Sequence, residues 1–209
     1  MDKPFPAPLL SAVAAGPSAA HCGLLLAAGR GSRFDPAGID NKLLARLPGS
    51  ELLVVEATAR QMLQVVPVLA VVGSSDSELA RRLAALGCTL AVCEQAAAGM
   101  SASLMCGVRQ AADAAGWIIA LADMPFVQST TYSALLAALH DRAELAVPTY
   151  AGQRGNPVAF SRQHRNALLQ LSGDRGARQL LQQYPVLEIA VNDPGILRDI
   201  DTRADLAQV

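Results

Sequence analysis

Leu24-Leu25-Leu26-Ala27-Ala28-Gly29-Arg30-Gly31-Ser32-Arg33-Phe34 is the stretch on which the reading of the whole chain turns. An apolar run that reads as a buried strand stops at Gly29, and two glycines alternating with two arginines follow at once. Glycine tolerates the backbone angles that point successive N–H groups into one concavity, and arginine adds charge-assisted bonds to phosphate oxygens. The loop therefore suits an anion. Gly29-x-Gly31 lacks the third glycine of a dinucleotide fingerprint, and no Gly-Lys-Ser/Thr follows to make a Walker loop. What remains is a phosphate site of a third kind, or simply a basic connection from strand to helix.

Outward from that loop, strand and helix patterns alternate. Ser50 or Glu51 opens an expected helix to about Val65, and Val68 to Val72 is a β-branched strand ending at Gly73. Ser74 and Ser75 are expected to cap a helix to Leu86, and Thr89 to Cys93 reads as a strand. Gly99-Met100-Ser101-Ala102-Ser103 introduces a helix, Trp117 to Leu121 is a strand, and Asp123-Met124-Pro125 stands at its carboxyl end. A helix from about Ser129 to Asp141 and a strand from Glu144 to Val147 complete the alternation. Beyond Pro148 a glycine-containing turn joins two short apolar runs as an antiparallel hairpin. Helices near 161–170 and 174–184, a strand near 186–191 and a short helix after Thr202 follow.

This order predicts an α/β fold: a Rossmann-like, three-layer α/β/α arrangement around a mostly parallel sheet, with the antiparallel hairpin inserted. In such sheets the loops at the carboxyl ends of the strands share one crevice, so Gly29 to Arg33, Gly73 to Ser75 and Asp123 are expected to face a common site.

Composition sets the outer limits. The 209 residues suit one large domain, and 52% apolar content supplies its core. With 17 basic against 18 acidic side chains, the chain lacks the basic excess of a nucleic-acid grip. The four cysteines form no C-x-x-C pair and are expected to be free thiols, as in a reducing, cytoplasmic setting. Residues 1–19 read as a disordered or loosely packed tail before a single domain from residue 20 to 209. Their prolines interrupt any helix long enough to span a membrane. The histidines, His21, His140 and His164, read as surface residues.

Asp123, just past an apolar strand, is a candidate to hold Mg2+ against nucleotide phosphates, although an aspartate there also serves as an ordinary cap. Lys42 suits the phosphate at which bonds change, or a solvated surface position. Asp199 and Asp201 supply two further carboxylates, and Gly173 to Arg178 offers N–H groups and guanidinium to another anion.

Seven motifs in this order resemble the molybdenum cofactor cytidylyltransferase group of the nucleotidyltransferase superfamily, which has a glycosyltransferase-A-like fold. They are Leu26-Ala27-Ala28-Gly29-x-Gly31-Ser32-Arg33, Asn41-Lys42-Leu43-Leu44, Gly99-Met100-Ser101-x-Ser103-Leu104, Leu121-Ala122-Asp123-Met124-Pro125, Gly155-Asn156-Pro157-Val158, Gly173-Asp174-Arg175-Gly176-Ala177-Arg178 and Asp199-Ile200-Asp201-Thr202. The resemblance implies that residues 26–33, including Arg30, wrap a triphosphate, that Lys42 meets the α-phosphate, and that Asp123 with Asp201 binds Mg2+. Gly99, Ser101 and Ser103 would lie against the base. Ala28, where guanylyl-transferring relatives usually carry glycine, favours CTP. A phosphorylated pterin of molybdopterin type would meet Arg154, Gly155, Asn156, Pro157, Asp174 and Arg175, and a molybdenum hydroxylase is the implied client. Two departures stand out: the connection Phe34 to Asp40 is longer and more acidic than usual, and Asn156 replaces the usual histidine. The same parts would also serve a sugar- or polyol-phosphate nucleotidyltransferase, or a non-catalytic chaperone for the molybdenum cofactor.

Overall fold

The computed structural model describes residues 20–29, 31, 33–35, 40–173 and 176–207. The expected tail at residues 1–19 lies outside the described residues, as do Arg30, Ser32, Asp174 and Arg175. Among the described residues eight strands form one sheet: β1 (Cys22–Leu26), β2 (Val68–Val72), β3 (Thr89–Val92), β4 (Gly116–Leu121), β5 (Leu145–Tyr150), β6 (Gln153–Arg154), β7 (Val158–Ser161) and β8 (Leu187–Ala190). Their order is β3-β2-β1-β4-β7-β5-β6, with β8 paired to β5. The strands β3, β2, β1 and β4 are mutually parallel, β7 runs antiparallel between β4 and β5, and β8 is parallel to β5.

In β1, β2 and β4 alternating side chains are buried on both faces of the sheet, which is why these strands read as unbroken apolar runs. Leu25, Ala70, Val72, Ile118 and Ala120 share one core with helices α1 (Val54–Leu63), α2 (Glu78–Ala85) and α4 (Ser129–His140). Leu24, Leu69, Val71, Trp117 and Ile119 share the other with α3 (Met100–Gln110), α5 (Arg165–Leu168) and α6 (Leu180–Gln183). A last short helix, α7 (Arg203–Ala207), follows Thr202. No helix among the described residues is long and apolar enough to cross a membrane.

Helix starts are where the structure departs from expectation. Ser50 opens no helix, because Pro48 and Gly49 make a turn in which Ser50 N–H donates to Leu47 O at 3.1 Å and Arg46 bridges to Leu53. α1 starts only at Val54, with Glu56 Oε2 accepting the Leu53 N–H at 3.1 Å. Likewise Ser77, not Ser74 or Ser75, caps α2, its Oγ accepting Ala80 N–H at 3.1 Å. The two helices expected near 161–170 and 174–184 are each a 3-10 turn followed by a single short α-helix.

His164 is also corrected: it is buried, not a surface residue, between the rings of Phe160 and Tyr184. Burial holds its pKa below the ordinary 6.5, against a smaller upward pull from Glu144, 3.9 Å away. The unfolded chain therefore binds the proton more readily, so the contribution of His164 to stability is fully present above the unfolded value and is lost as pH falls through the folded one. Urea unfolding is expected to show stability declining from pH 7 to 5, with a shallower decline in His164→Phe; an unchanged slope would assign the pH dependence to other groups.

Candidate functional site

The parallel registers align the strand ends. Leu26 lies opposite Val71 and Leu121, and Val72 opposite Val92, so the segments that leave β1, β2, β3 and β4 emerge along one edge.

After β1, Ala27 N–H still bonds Val71 O at 2.9 Å, and the chain then turns at Gly31, whose carbonyl accepts the N–H of Phe34 at 2.9 Å. Gly31 has φ +61°, a left-handed conformation that glycine adopts without steric cost. Phe34 is buried and anchors the far end of the loop, while the Arg33 guanidinium, largely exposed, donates to Asp201 Oδ2.

Lys42 opens a 3-10 turn, Lys42–Leu44, that Asn41 caps by accepting the Leu43 N–H at 3.0 Å and that Leu43 anchors in the core. The longer connection before it does not carry Lys42 away from the strand ends. Its Nζ lies 2.7 Å from Asp123 Oδ2 and 2.8 Å from Asp201 Oδ1, with only 12% of the side chain exposed. Burial alone would lower the Lys42 pKa, but the two carboxylates outweigh it and raise the value above that of a free lysine.

Asp123 is held through its backbone from both sides. Its carbonyl accepts the N–H of Ile200 at 2.9 Å, which brings the Ile200-Asp201 segment alongside. The carbonyl of Ala122 accepts the hydroxyl of Thr58, a fully buried residue of α1, at 3.0 Å. Asp201 is fixed in turn by Asp205, whose Oδ2 accepts the Asp201 N–H at 3.1 Å and the Thr202 N–H at 2.7 Å. Asp123 Oδ1 is buried and has no hydrogen-bond partner.

Thr58→Val keeps the shape of the side chain but leaves the Ala122 carbonyl without its hydroxyl donor. A loss of about 1–2 kcal/mol in urea unfolding is expected. Turnover should fall further than substrate affinity, because the next residue is Asp123; an unchanged kcat would remove Thr58 from the support of the site.

The other expected site residues are distributed as follows. Gly99, Ser101 and Ser103 stand at the start of α3, Ser101 and Ser103 buried and Ser101 Oγ without a partner; Ser101 N–H bonds Gly173 O at 3.3 Å, so the Gly173 turn abuts this helix start. Arg154 is turned to Glu188 of β8, its Nη2 2.7 Å from Oε1, and so is engaged in an edge ion pair. Gly155 packs so closely that a Cβ there would stand 2.4 Å from Ile196 O, and Asn156 N–H bonds that same carbonyl at 3.0 Å. Pro157 is buried. Asn156 and Pro157 immediately precede Val158, which pairs with Ile119 of β4. A cavity of about 800 Å3 between α4 and the start of β8 includes none of these residues.

The MobA-like NTP transferase domain matches residues 23–188, most of the chain. The chain belongs to that family. Membership makes it a nucleotidyltransferase, a broader assignment than the cytidylyltransferase group that its motifs resemble, and the matched span ends before Asp201. Among solved structures, Rv0371c from Mycobacterium tuberculosis H37Rv is 28% identical with a TM-score of 0.76, over 92% of this chain and 98% of that one. A second structure of Rv0371c, a complex with manganese, is 28% identical with a TM-score of 0.72, over 90% and 97% of the two chains. Molybdopterin-guanine dinucleotide biosynthesis protein A from Archaeoglobus fulgidus, 17% identical with a TM-score of 0.66 over 90% and 95%, shares the fold. No curated protein matches the chain.

Asp205, Asp193 and Thr58 support the site without having been expected to. Thr202-x-x-Asp205 is a Ser/Thr-x-x-acid helix start, and Asp193-Pro194-Gly195 places an aspartate cap before a first-turn proline. Both were available as local signals. Thr58, a hydroxyl among the buried residues of α1, carries none.

Proposed function

We propose that this NTP transferase moves CMP from CTP to a phosphorylated pterin acceptor of molybdopterin type and releases pyrophosphate. The observation that supports this best is the convergence of Arg33, Lys42, Asp123 and Asp201 where β1 and β4 end side by side. The attacking phosphate oxygen of the acceptor is already anionic, so no general base is required. The protein has to hold two polyanions together and in line, which is work for positive charge and rigid placement.

Arg33 and Lys42 supply charge toward the phosphates, and the start of α3 with Gly99, Ser101 and Ser103 faces the base. Asp123 and Asp201 fit a hard divalent cation such as Mg2+. Their donors are all oxygen, one oxygen of each holds the Lys42 ammonium while Arg33 takes the second oxygen of Asp201, and Asp123 Oδ1 is a buried acceptor with no partner. Bound there, the ion would neutralise phosphate charge. The choice of CTP rests on Ala28, and that of the pterin on Gly155-Asn156-Pro157 and the Gly173 turn, by resemblance of motif. Arg154 enters the acceptor site only by leaving Glu188. The four cysteines are free, in keeping with action in the cytoplasm and delivery to a molybdenum hydroxylase client.

Pyrophosphate release with Mg2+ and each of CTP and GTP, with and without molybdopterin, tests the reading. Release with CTP and molybdopterin together is expected. Release only with a sugar or polyol phosphate would reassign the acceptor, and molybdopterin binding without any release would make the protein a carrier.

A further inference from the structure

The Lys42 ammonium is placed unusually for a group whose proposed task is to meet a phosphate: it sits between the two carboxylates proposed for the metal. It touches Asp123 Oδ2 at 2.7 Å and Asp201 Oδ1 at 2.8 Å, and all three side chains are mostly shielded from water, with 12%, 18% and 28% exposed. A divalent cation seeking these oxygens meets an occupant of like charge. The occupant is also hard to displace, because a lysine driven out of the pair would lose two charge-assisted bonds in a poorly solvated place.

The surroundings show where it could go. The Lys42 stem runs beside Gly31, where a Cβ would stand 3.4 Å from Lys42 Cγ, so its base lies against the loop proposed to wrap phosphates. The carboxylates have other anchors. Asp201 keeps Arg33 on its second oxygen and Asp205 on its N–H, and Asp123 keeps Ile200 on its carbonyl. Lys42 can therefore leave without the pair coming apart.

We propose that Lys42 is the resident counter-ion of the Asp123–Asp201 pair and yields to a divalent metal only when nucleotide phosphates offer it a new partner. Metal entry is thereby coupled to nucleotide entry. This deepens the metal-site reading above and rests on it. It makes a counter-intuitive demand: removing a residue needed for turnover must improve metal binding.

The experiment is titration of the nucleotide-free protein with MnCl2, following the electron paramagnetic resonance signal of free Mn2+. Lys42→Met is expected to bind Mn2+ at least tenfold more tightly than the wild type, and Lys42→Gln should do the same if the first variant folds poorly by circular dichroism. Adding Asp123→Asn to Lys42→Met should abolish the gain. Arg203→Met, which removes an equal charge that pairs with Asp40, should change affinity by less than threefold. Affinity in both Lys42 variants within threefold of the wild type, or a similar gain in Arg203→Met, overturns the proposal. A gain in Lys42→Met with no pyrophosphate release by the wild type from any triphosphate would keep the counter-ion and reject the function. Release by the wild type without the gain would do the reverse.

Discussion

Asp123→Asn is expected to lower turnover by about three orders of magnitude, the scale of losing a charged group aimed at the reacting phosphates, while the chain remains folded. The two halves of that expectation have separate physical causes. Asparagine preserves the shape of the side chain and leaves the backbone untouched, so the Asp123 carbonyl still accepts from Ile200 and the Ala122 carbonyl from Thr58. Lys42 keeps Asp201, and the loss of one of two neighbouring carboxylates relieves their mutual repulsion. Breaking a partly buried ion pair costs a few kcal/mol when the survivor is left alone, but here it is not alone, and a net change of about 1 kcal/mol is the reasonable scale. Function has no such compensation, since the neutral amide cannot neutralise a cation or hold Lys42 as firmly. Pyrophosphate release measured with saturating CTP and acceptor, together with a melting curve, separates the two. Turnover within tenfold of the wild type in a folded variant would remove Asp123 from the proposed chemistry.

What could be read in advance divides along physical lines. The sheet was legible because a strand buried on both faces must be apolar throughout, and the short runs Leu24 to Leu26, Val68 to Val72 and Trp117 to Leu121 meet that demand without help from tertiary context. The placement of Asp123 followed from the same logic, as the first charge beyond a buried strand. Helix starts were less legible, because Ser50 and Ser77 present the same chemistry to a reader while one stands in a turn and the other caps a helix. Lys42 read equally as a phosphate ligand or a solvated side chain. Only the fold shows that it faces neither water nor a lone acid but a pair of carboxylates 81 and 159 residues away. Distance along the chain also hid Thr58, whose acceptor is 64 residues on, and the ion pair that takes Arg154 to Glu188, 34 residues on.

Gly195→Ala is the substitution expected to damage the fold most. A Cβ at this position would stand 2.1 Å from Phe126 O, 2.3 Å from Phe126 C and 2.8 Å from Val127 N, all backbone atoms that no rotamer change can move aside. The segment they belong to is pinned on its other side as well. Asp193, itself buried, accepts the N–H of Gln128 at 2.9 Å, the hydroxyl of Thr131 at 2.6 Å and the N–H of Gly195 at 2.9 Å. The clash can therefore be relieved only by prising the Asp193–Gly195 turn from the chain that leads from Asp123 into α4, at the expense of these bonds. About 3 kcal/mol or more is expected, in the range of severe overpacking combined with lost buried hydrogen bonds. For a chain of this length that lowers the melting temperature by about 6–12 °C. Because Phe126 follows Asp123 by only three residues, the displaced strand-to-helix connection should also carry the carboxylate out of reach of Lys42, so turnover should fall even at temperatures where the variant is fully folded. Thermal unfolding by circular dichroism and pyrophosphate release at 15 °C read the two effects apart. A melting point within about 2 °C of the wild type would mean that this connection yields freely, and it would then be too soft to hold Asp123 in place for transfer.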